Sequence, residues 1–241
     1  MTPQSTAMPS LDPAFVPLLV EGFNSQERMP VARLFNEWWR FAADEVIEKY
    51  VADFHTDPEL KRAFSERFMA EPVDFDALGR LPVGTLGRTY HHFVLDNNLT
   101  PNIAFGYKER HDQLEASGML ARMPEELQYA VLRGFQVHDL MHVVTGYPPI
   151  STGEISVLAF CLAQVRFPYF GMWMAVVTTQ MTFLDPDMIR PMMGAIAEGY
   201  AAGRRAKNVQ WLRFEEMMDR PVEEIRARYD IRTDPSIALA A

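Results

Sequence analysis

Residues 124–154 read PEELQYAVLRGFQVHDLMHVVTGYPPISTGE. Pro124 followed by Glu125 and Glu126 opens a helix, with both carboxylates at the positive end of its dipole. Gly146 and then Pro148-Pro149 stop it. Inside that helix stands His138-Asp139-Leu140-Met141-His142, and eleven residues separate His142 from Glu154, giving His-Asp-x-x-His-x11-Glu. On a helix His138 and His142 lie about 40° apart around the axis, and Asp139 about 60° beyond His142, so the three share one face. Two imidazoles and two carboxylates suit a divalent cation of the zinc, iron or manganese type. The loop from Thr145 to Ile150 is short and stiffened by proline. It should fold the following helix back and carry Glu154 towards the imidazoles. Glu154 has a competing use, because Ser151-Thr152-Gly153-Glu154 also reads as a capping box in which Glu154 bonds a backbone N–H.

Outward from this stretch the pattern stays helical. Pro30 to Tyr50 carries apolar residues at helical spacing (Val31, Leu34, Phe35, Trp38, Phe41, Val46). Asp57-Pro58-Glu59 is an N-cap followed by proline at the first helical position, opening a short helix to about Met69. Pro82 to Asp96 holds another, ended by Asn97-Asn98 and Pro101, and Asp185-Pro186 and Arg220-Pro221 open two more. Strand-like alternation is scarce, so the fold class is all-α, a single-domain helical bundle. Residues 1–12 read as a flexible lead-in, 13–235 as the domain and 236–241 as a tail. From Ile155 to Leu184 the only charged residue is Arg166, with Pro168 and Gly171 just after it. Each half is shorter than the roughly 20 apolar residues a membrane span needs. The segment is therefore a helical hairpin turning at Phe167-Pro168, either two buried core helices or the lining of a lipid tunnel or membrane-facing surface. Met172, Trp173, Met174 and Met181 suit a flexible apolar ligand.

Composition removes several function classes. The chain has 241 residues, 48% hydrophobic and 23% charged, with a net charge of −9. It is long enough for a sizeable core, and too acidic for a nucleic-acid or anionic-membrane footprint. Its single cysteine, Cys161, cannot form an internal disulfide and points to a reducing compartment. Met1 to Asp12 lacks the basic and apolar regions of a signal peptide, and is not a transit peptide.

Two catalytic motifs compete for the same residues. In His-Glu-x-x-His metalloproteases a glutamate stands where this chain has Asp139, one methylene shorter. An HD-type phosphohydrolase would need a further upstream histidine, such as His91 or His111, and a downstream aspartate for which no strong candidate exists. The wider pattern resembles the coenzyme Q (ubiquinone) biosynthesis protein 4 family instead. The His138-Asp139-Leu140-Met141-His142-x11-Glu154 pattern matches its signature without a gap, as do Val144-Thr145-Gly146-Tyr147-Pro148 and Gly153-Glu154-Ile155. Upstream, Leu81-Pro82-Val83-Gly84-Thr85-Leu86-Gly87-Arg88 is similar to the family's Leu-Pro-x-Gly-Thr-Leu-Gly-Arg stretch. Downstream, Gly203-Arg204-Arg205-Ala206 and Pro221-Val222-Glu223-Glu224-Ile225-Arg226 resemble its C-terminal helices, so the likeness runs from about residue 80 to about 230.

The resemblance implies a helical, membrane-peripheral protein handling a polyprenylated aromatic precursor of ubiquinone. It implies metal ligation, and a catalytic role, for His138, Asp139, His142 and Glu154, with zinc as the first candidate and iron as the second. The implied activity is loss of the C1 carboxylate from a polyprenyl hydroxybenzoate, coupled to hydroxylation at that carbon. The other reading is a non-catalytic, lipid-binding scaffold that organises other ubiquinone-biosynthesis enzymes around a structural metal. Four protein ligands would fill a zinc tetrahedron, so either Asp139 stands behind a ligand or the coordination expands. Without a transit peptide, the expected location is a bacterial cytoplasm, peripheral to the inner membrane. Arg166, Arg204 and Arg205 are candidates for gripping an anionic head group, set against solvated surface positions. His91 and His92 read as surface and interface histidines, and His55 and His111 have no partner pattern. Cys161 reads as an inert buried thiol, and adjacent Trp38 and Trp39 as core packing or an interface, with a homodimer among the partners expected.

Overall fold

The computed structural model describes residues 11–24, 31–101, 112–113, 115–116, 118, 120 and 123–239. Residues 1–10 of the lead-in, Pro30, His111 and the last two tail positions, 240–241, lie outside the described residues. Among those described there is no strand, and the one backbone bridge joins Thr85 to Pro221. The helices are α1 (Val16–Asn24), α2 (Val31–Glu37), α3 (Asp44–Thr56), α4 (Pro58–Glu66), α5 (Phe75–Leu78) and α6 (Leu86–Asp96). They continue with α7 (Glu125–Thr145), α8 (Ser151–Gln164), α9 (Pro168–Leu184), α10 (Ile189–Arg205), α11 (Val222–Tyr229) and α12 (Pro235–Leu239). The all-α fold expected from the sequence is the fold observed.

Punctuation residues act where they were read. The Asp57 carboxylate accepts from the N–H groups of Glu59 and Leu60 to cap α4. Gly146 takes a left-handed conformation (φ +80°) and donates its N–H to the His142 carbonyl to end α7. Two expectations shift. The helix over 30–50 is broken by a 3-10 turn at Trp38–Arg40 and an extended Ala43. Phe35 and Trp39 both sit in the core, and the chain must bend after them to bring α3 onto α4 and α7. Trp38 packs edge-on against Tyr50, so the tryptophan pair serves the interior. The helix read from Pro82 starts four residues later, because Gly84 is left-handed (φ +85°) and Thr85 is the N-cap.

Helix α7 is the axis of the molecule: fourteen of its 21 residues are buried. Its first half joins the core built from α1 to α4 and α9, while its second half joins the core of α6, α8 and the C-terminal segments. A buried ion pair fixes the middle. Arg133, 1% exposed, donates to both carboxylate oxygens of Glu215 (2.6 and 2.9 Å), to the Leu212 carbonyl (2.7 Å) and to Gln136 Oε1 (2.6 Å). Gln136 in turn bonds both backbone groups of Ala70.

The two halves of the apolar hairpin behave differently. Helix α8 is core, with its residues from Ile155 to Cys161 all buried. It lies so close to α10 that a Cβ on Gly199 would stand 2.2 Å from the Ser156 carbonyl oxygen, and one on Gly203 2.3 Å from that of Phe160. Among the described residues helix α9 has no partner packed as closely. Only Pro168, Tyr169, Val176 and Val177 are buried along it, and Phe183 and Leu184 are exposed at its end.

Candidate metal centre

The centre forms where the last turns of α7 meet the first turn of α8. The connecting loop doubles back so tightly that a Cβ on Gly153 would lie 1.8 Å from the Pro148 carbonyl oxygen, which makes glycine obligatory there. This return brings Glu154 between the histidines: its Oε2 is 3.2 Å from His138 Nε2 and 3.3 Å from His142 Nε2. One ligand atom from each of His138, His142 and Glu154 falls within 4.8 Å of the other two. The capping box does not form. Ile150 is the N-cap of α8, with no side-chain cap bond, and the Glu154 carboxylate is spent on the imidazoles.

Asp139 shares the helix face but is not among the three clustered donors. Its Oδ1 lies 3.3 Å from His138 Nδ1, and its Oδ2 accepts from the Tyr90 hydroxyl at 3.3 Å. Both contacts set the Asp139 carboxylate beside His138 Nδ1 rather than Nε2. His142 is held in a parallel manner. Its Nδ1 is 3.0 Å from the Tyr147 carbonyl, and Phe93 stacks on its ring (5.7 Å, 21°). A carbonyl can only accept, so Nδ1 carries a proton, and whenever the ring is neutral Nε2 is a bare lone pair. That Nε2 is buried and has no properly directed hydrogen bond. Its nearest polar neighbour, the Glu154 carboxylate, is also an acceptor. Two acceptors facing each other at this distance call for a cation between them, and the donor set of two imidazoles and a carboxylate fits a divalent metal.

Without a metal, protons fill the role. Burial works against charging His138, but the Asp139 and Glu154 carboxylates outweigh it and raise the group to about 10. For Glu154 burial also opposes the charged form, and the two imidazoles beside it prevail, holding its carboxyl far below the usual range. The raised histidine contributes stability fully below its ordinary 6.5 and loses it as pH climbs to about 10. The depressed glutamate contributes above its ordinary 4.5 and loses that contribution as pH falls. In metal-free protein the pair therefore stabilises most between these two ordinary values. Thermal unfolding in chelator should show the largest gap between wild type and Glu154→Gln inside that window, narrowing on both sides. A gap that does not change with pH would mean the carboxylate acts by packing alone.

All three clustered residues line a cavity of about 1020 Å³ that runs back along α7 to Ala130 between α8 and α9. Its walls are mainly apolar, including Leu158, Phe170, Trp173, Val177 and Met181. Arg166 borders the cavity and lies 3.6 Å from Asp53. Arg204 and Arg205 are exposed at the end of α10, outside the cavity lining. Cys161 also lines it, with burial pushing its thiol up to about 12, so it stays protonated and inert. His91 stacks on Phe75, His92 accepts from Arg88, and His55 pairs with Glu126, all away from the centre. Sequence reasoning passed over Tyr90, Phe93 and the Tyr147 carbonyl. The three-residue spacing of Tyr90 and Phe93 placed them on one face of α6, but nothing local marked which face met the histidines.

A family model described as coenzyme Q (ubiquinone) biosynthesis protein Coq4 matches residues 33–235. The chain belongs to this family. Relatives within it include the mitochondrial ubiquinone biosynthesis protein COQ4 of Eremothecium gossypii, 28% identical over 71% of this chain and 49% of that protein. Another is the mitochondrial COQ4 homolog of Danio rerio, 28% identical over 77% of this chain and 64% of that protein. The chain thus spans about half to two thirds of the length of the curated relatives it matches. A crystal structure of a chain from Nostoc punctiforme PCC 73102 superimposes with a TM-score of 0.70, covering 91% of this chain and 96% of the other at 23% identity, which establishes the shared fold. These relatives overturn the bacterial cytoplasmic location expected from the N-terminal sequence, since the curated Coq4 proteins matched here are mitochondrial. Among the described residues no helix is long and apolar enough to cross a membrane.

Proposed function

We propose that the chain holds a divalent metal ion with His138, His142 and Glu154, and acts there on the carboxylated aromatic head of a polyprenylated ubiquinone precursor. The tail of that precursor occupies the cavity between α8 and α9. One observation carries the reading: three clustered donor atoms open onto a large, mainly apolar cavity. When bound, a divalent cation supplies a Lewis acid for the carboxylate or phenolate oxygens and stabilises negative charge on the ring as CO2 leaves. The remaining work falls to the chain. Asp139 holds His138, the Tyr147 carbonyl holds His142, and the apolar walls exclude water from the head group.

Loss of CO2 leaves the bonding electron pair on ring carbon C1. Coupled hydroxylation at that carbon removes two electrons from the ring. With dioxygen as oxidant and water supplying the hydroxyl oxygen, the products are the phenol, CO2 and hydrogen peroxide, and iron suits that version better than zinc. A precursor of this kind resides in a bilayer, and the exposed Phe183 and Leu184 at the end of α9 suit contact with its surface. The scaffold reading needs a closed coordination sphere. The three donors found among the described residues leave a zinc site one position short, which favours the enzyme.

The test is metal removal. Protein stripped with a chelator should lose turnover of a polyprenyl hydroxybenzoate, and one equivalent of zinc or ferrous iron should restore it, with CO2 release measured directly. Turnover that survives full stripping would overturn the metal-dependent reading. Absence of turnover at full metal occupancy, with and without dioxygen, would leave the scaffold.

A further inference from the structure

Helix α6 supplies no ligand to the centre, yet it is aimed at it. Its first turn is clasped to the far end of the chain: the N–H of Leu86 donates to the Arg220 carbonyl (2.8 Å) and that of Gly87 to the Met218 carbonyl (2.9 Å). The Val222 N–H returns a bond to the Gly84 carbonyl (2.9 Å). Glycine at 87 leaves room for the clasp: a Cβ there would stand 2.6 Å from Leu81 Cδ1 and 3.1 Å from the Met218 oxygen, so both would have to shift. So anchored, α6 turns Tyr90 and Phe93 towards α7. Tyr90 is fully buried, its ring set edge-on against Phe75 (6.1 Å, 89°), and its hydroxyl donates to Asp139 Oδ2. Phe93, almost one turn on, stacks on His142. One helix therefore backs both imidazoles.

We infer that Tyr90 is a positioning residue of the metal centre, holding the Asp139 carboxylate so that His138 keeps Nδ1 turned to Asp139 and Nε2 turned to the metal. A carboxylate between a phenol and an imidazole cannot swing freely. It fixes both the tautomer and the ring plane of the histidine it meets. Without the hydroxyl, Asp139 loses its bond from α6, and His138 Nε2 samples positions off the line to Glu154. The role explains why the Leu81–Arg88 stretch belongs with a metal motif some fifty residues away: it sets the angle of the helix that carries Tyr90.

This inference rests on the metal reading above, and its test separates the two. The probe is Co2+ alone, read by its visible d–d absorption and by competition with zinc. Tyr90→Phe, which removes only the hydroxyl, is expected to weaken affinity about tenfold, the lower end of the effect of losing an outer hydrogen bond at a metal site, and to alter the absorption band. In an Asp139→Ala background the same substitution should change neither. Wild-type affinity in Tyr90→Phe, or an equal loss in both backgrounds, overturns the inference while Glu154→Ala still reports on the site. No Co2+ or zinc binding by the wild-type protein overturns both.

Discussion

Arg133→Ala is expected to destabilise the protein by about 3–5 kcal/mol, the cost of leaving one member of a buried ion pair without its partner. Glu215 keeps its charge in a site where its side chain is 6% exposed, and the Leu212 carbonyl and Gln136 lose a donor with it. The loss spreads because Gln136 also ties down both backbone groups of Ala70. Against a total stability of about 5–15 kcal/mol for a typical domain this is a large fraction. Urea denaturation measures it. The double variant Arg133→Met with Glu215→Leu should recover most of the loss, since an apolar pair of similar volume replaces the ions without an orphaned charge. A single-variant loss below about 1 kcal/mol, the range of an exposed pair, would mean that water reaches Glu215.

Glu154→Ala is expected to lower metal affinity by more than about 100-fold, beyond what changes to groups behind a ligand usually cost. The carboxylate is the only anionic member of the three-residue cluster, and its removal leaves two neutral imidazoles one helical turn apart. The fold should hold, because the side chain is 35% exposed and caps no backbone group of α8. Equilibrium dialysis against zinc gives the affinity, and far-ultraviolet circular dichroism checks the helices. Full occupancy in the variant would remove Glu154 from the ligand set and leave its two histidine contacts as ion pairing only.

Periodicity and proline placement carried most of the fold. Helix starts at Pro58, Glu125, Pro168 and Val222 follow from local chemistry, with the cap or first-turn proline written in the sequence. The break after Trp39 was not legible. The apolar spacing continues straight through it, and only the need to bury Phe35 and Trp39 while docking α3 imposes the bend. For the centre, the intervals between His138, His142 and Glu154 sufficed, because one helix and one short loop control all three. The place of the Asp139 carboxylate required the tertiary fold, since its side chain can turn towards the cluster or back to His138 Nδ1 until Tyr90 arrives from α6. Arg133 looked like any helix-surface arginine. Its partner, Glu215, is set opposite it by contacts that no local pattern encodes.

The clasp between the start of α6 and residues 218–222 has a consequence for the order of events during synthesis. The histidines and Glu154 lie on consecutive helices and can meet as soon as that pair leaves the ribosome. The layer behind them cannot, because its anchoring carbonyls belong to the last tenth of the chain. Closing so long a loop is slow compared with local helix packing. A chain that has not yet made residues 218–222 can gather His138, His142 and Glu154 but lacks the clasp that aims the helix behind them.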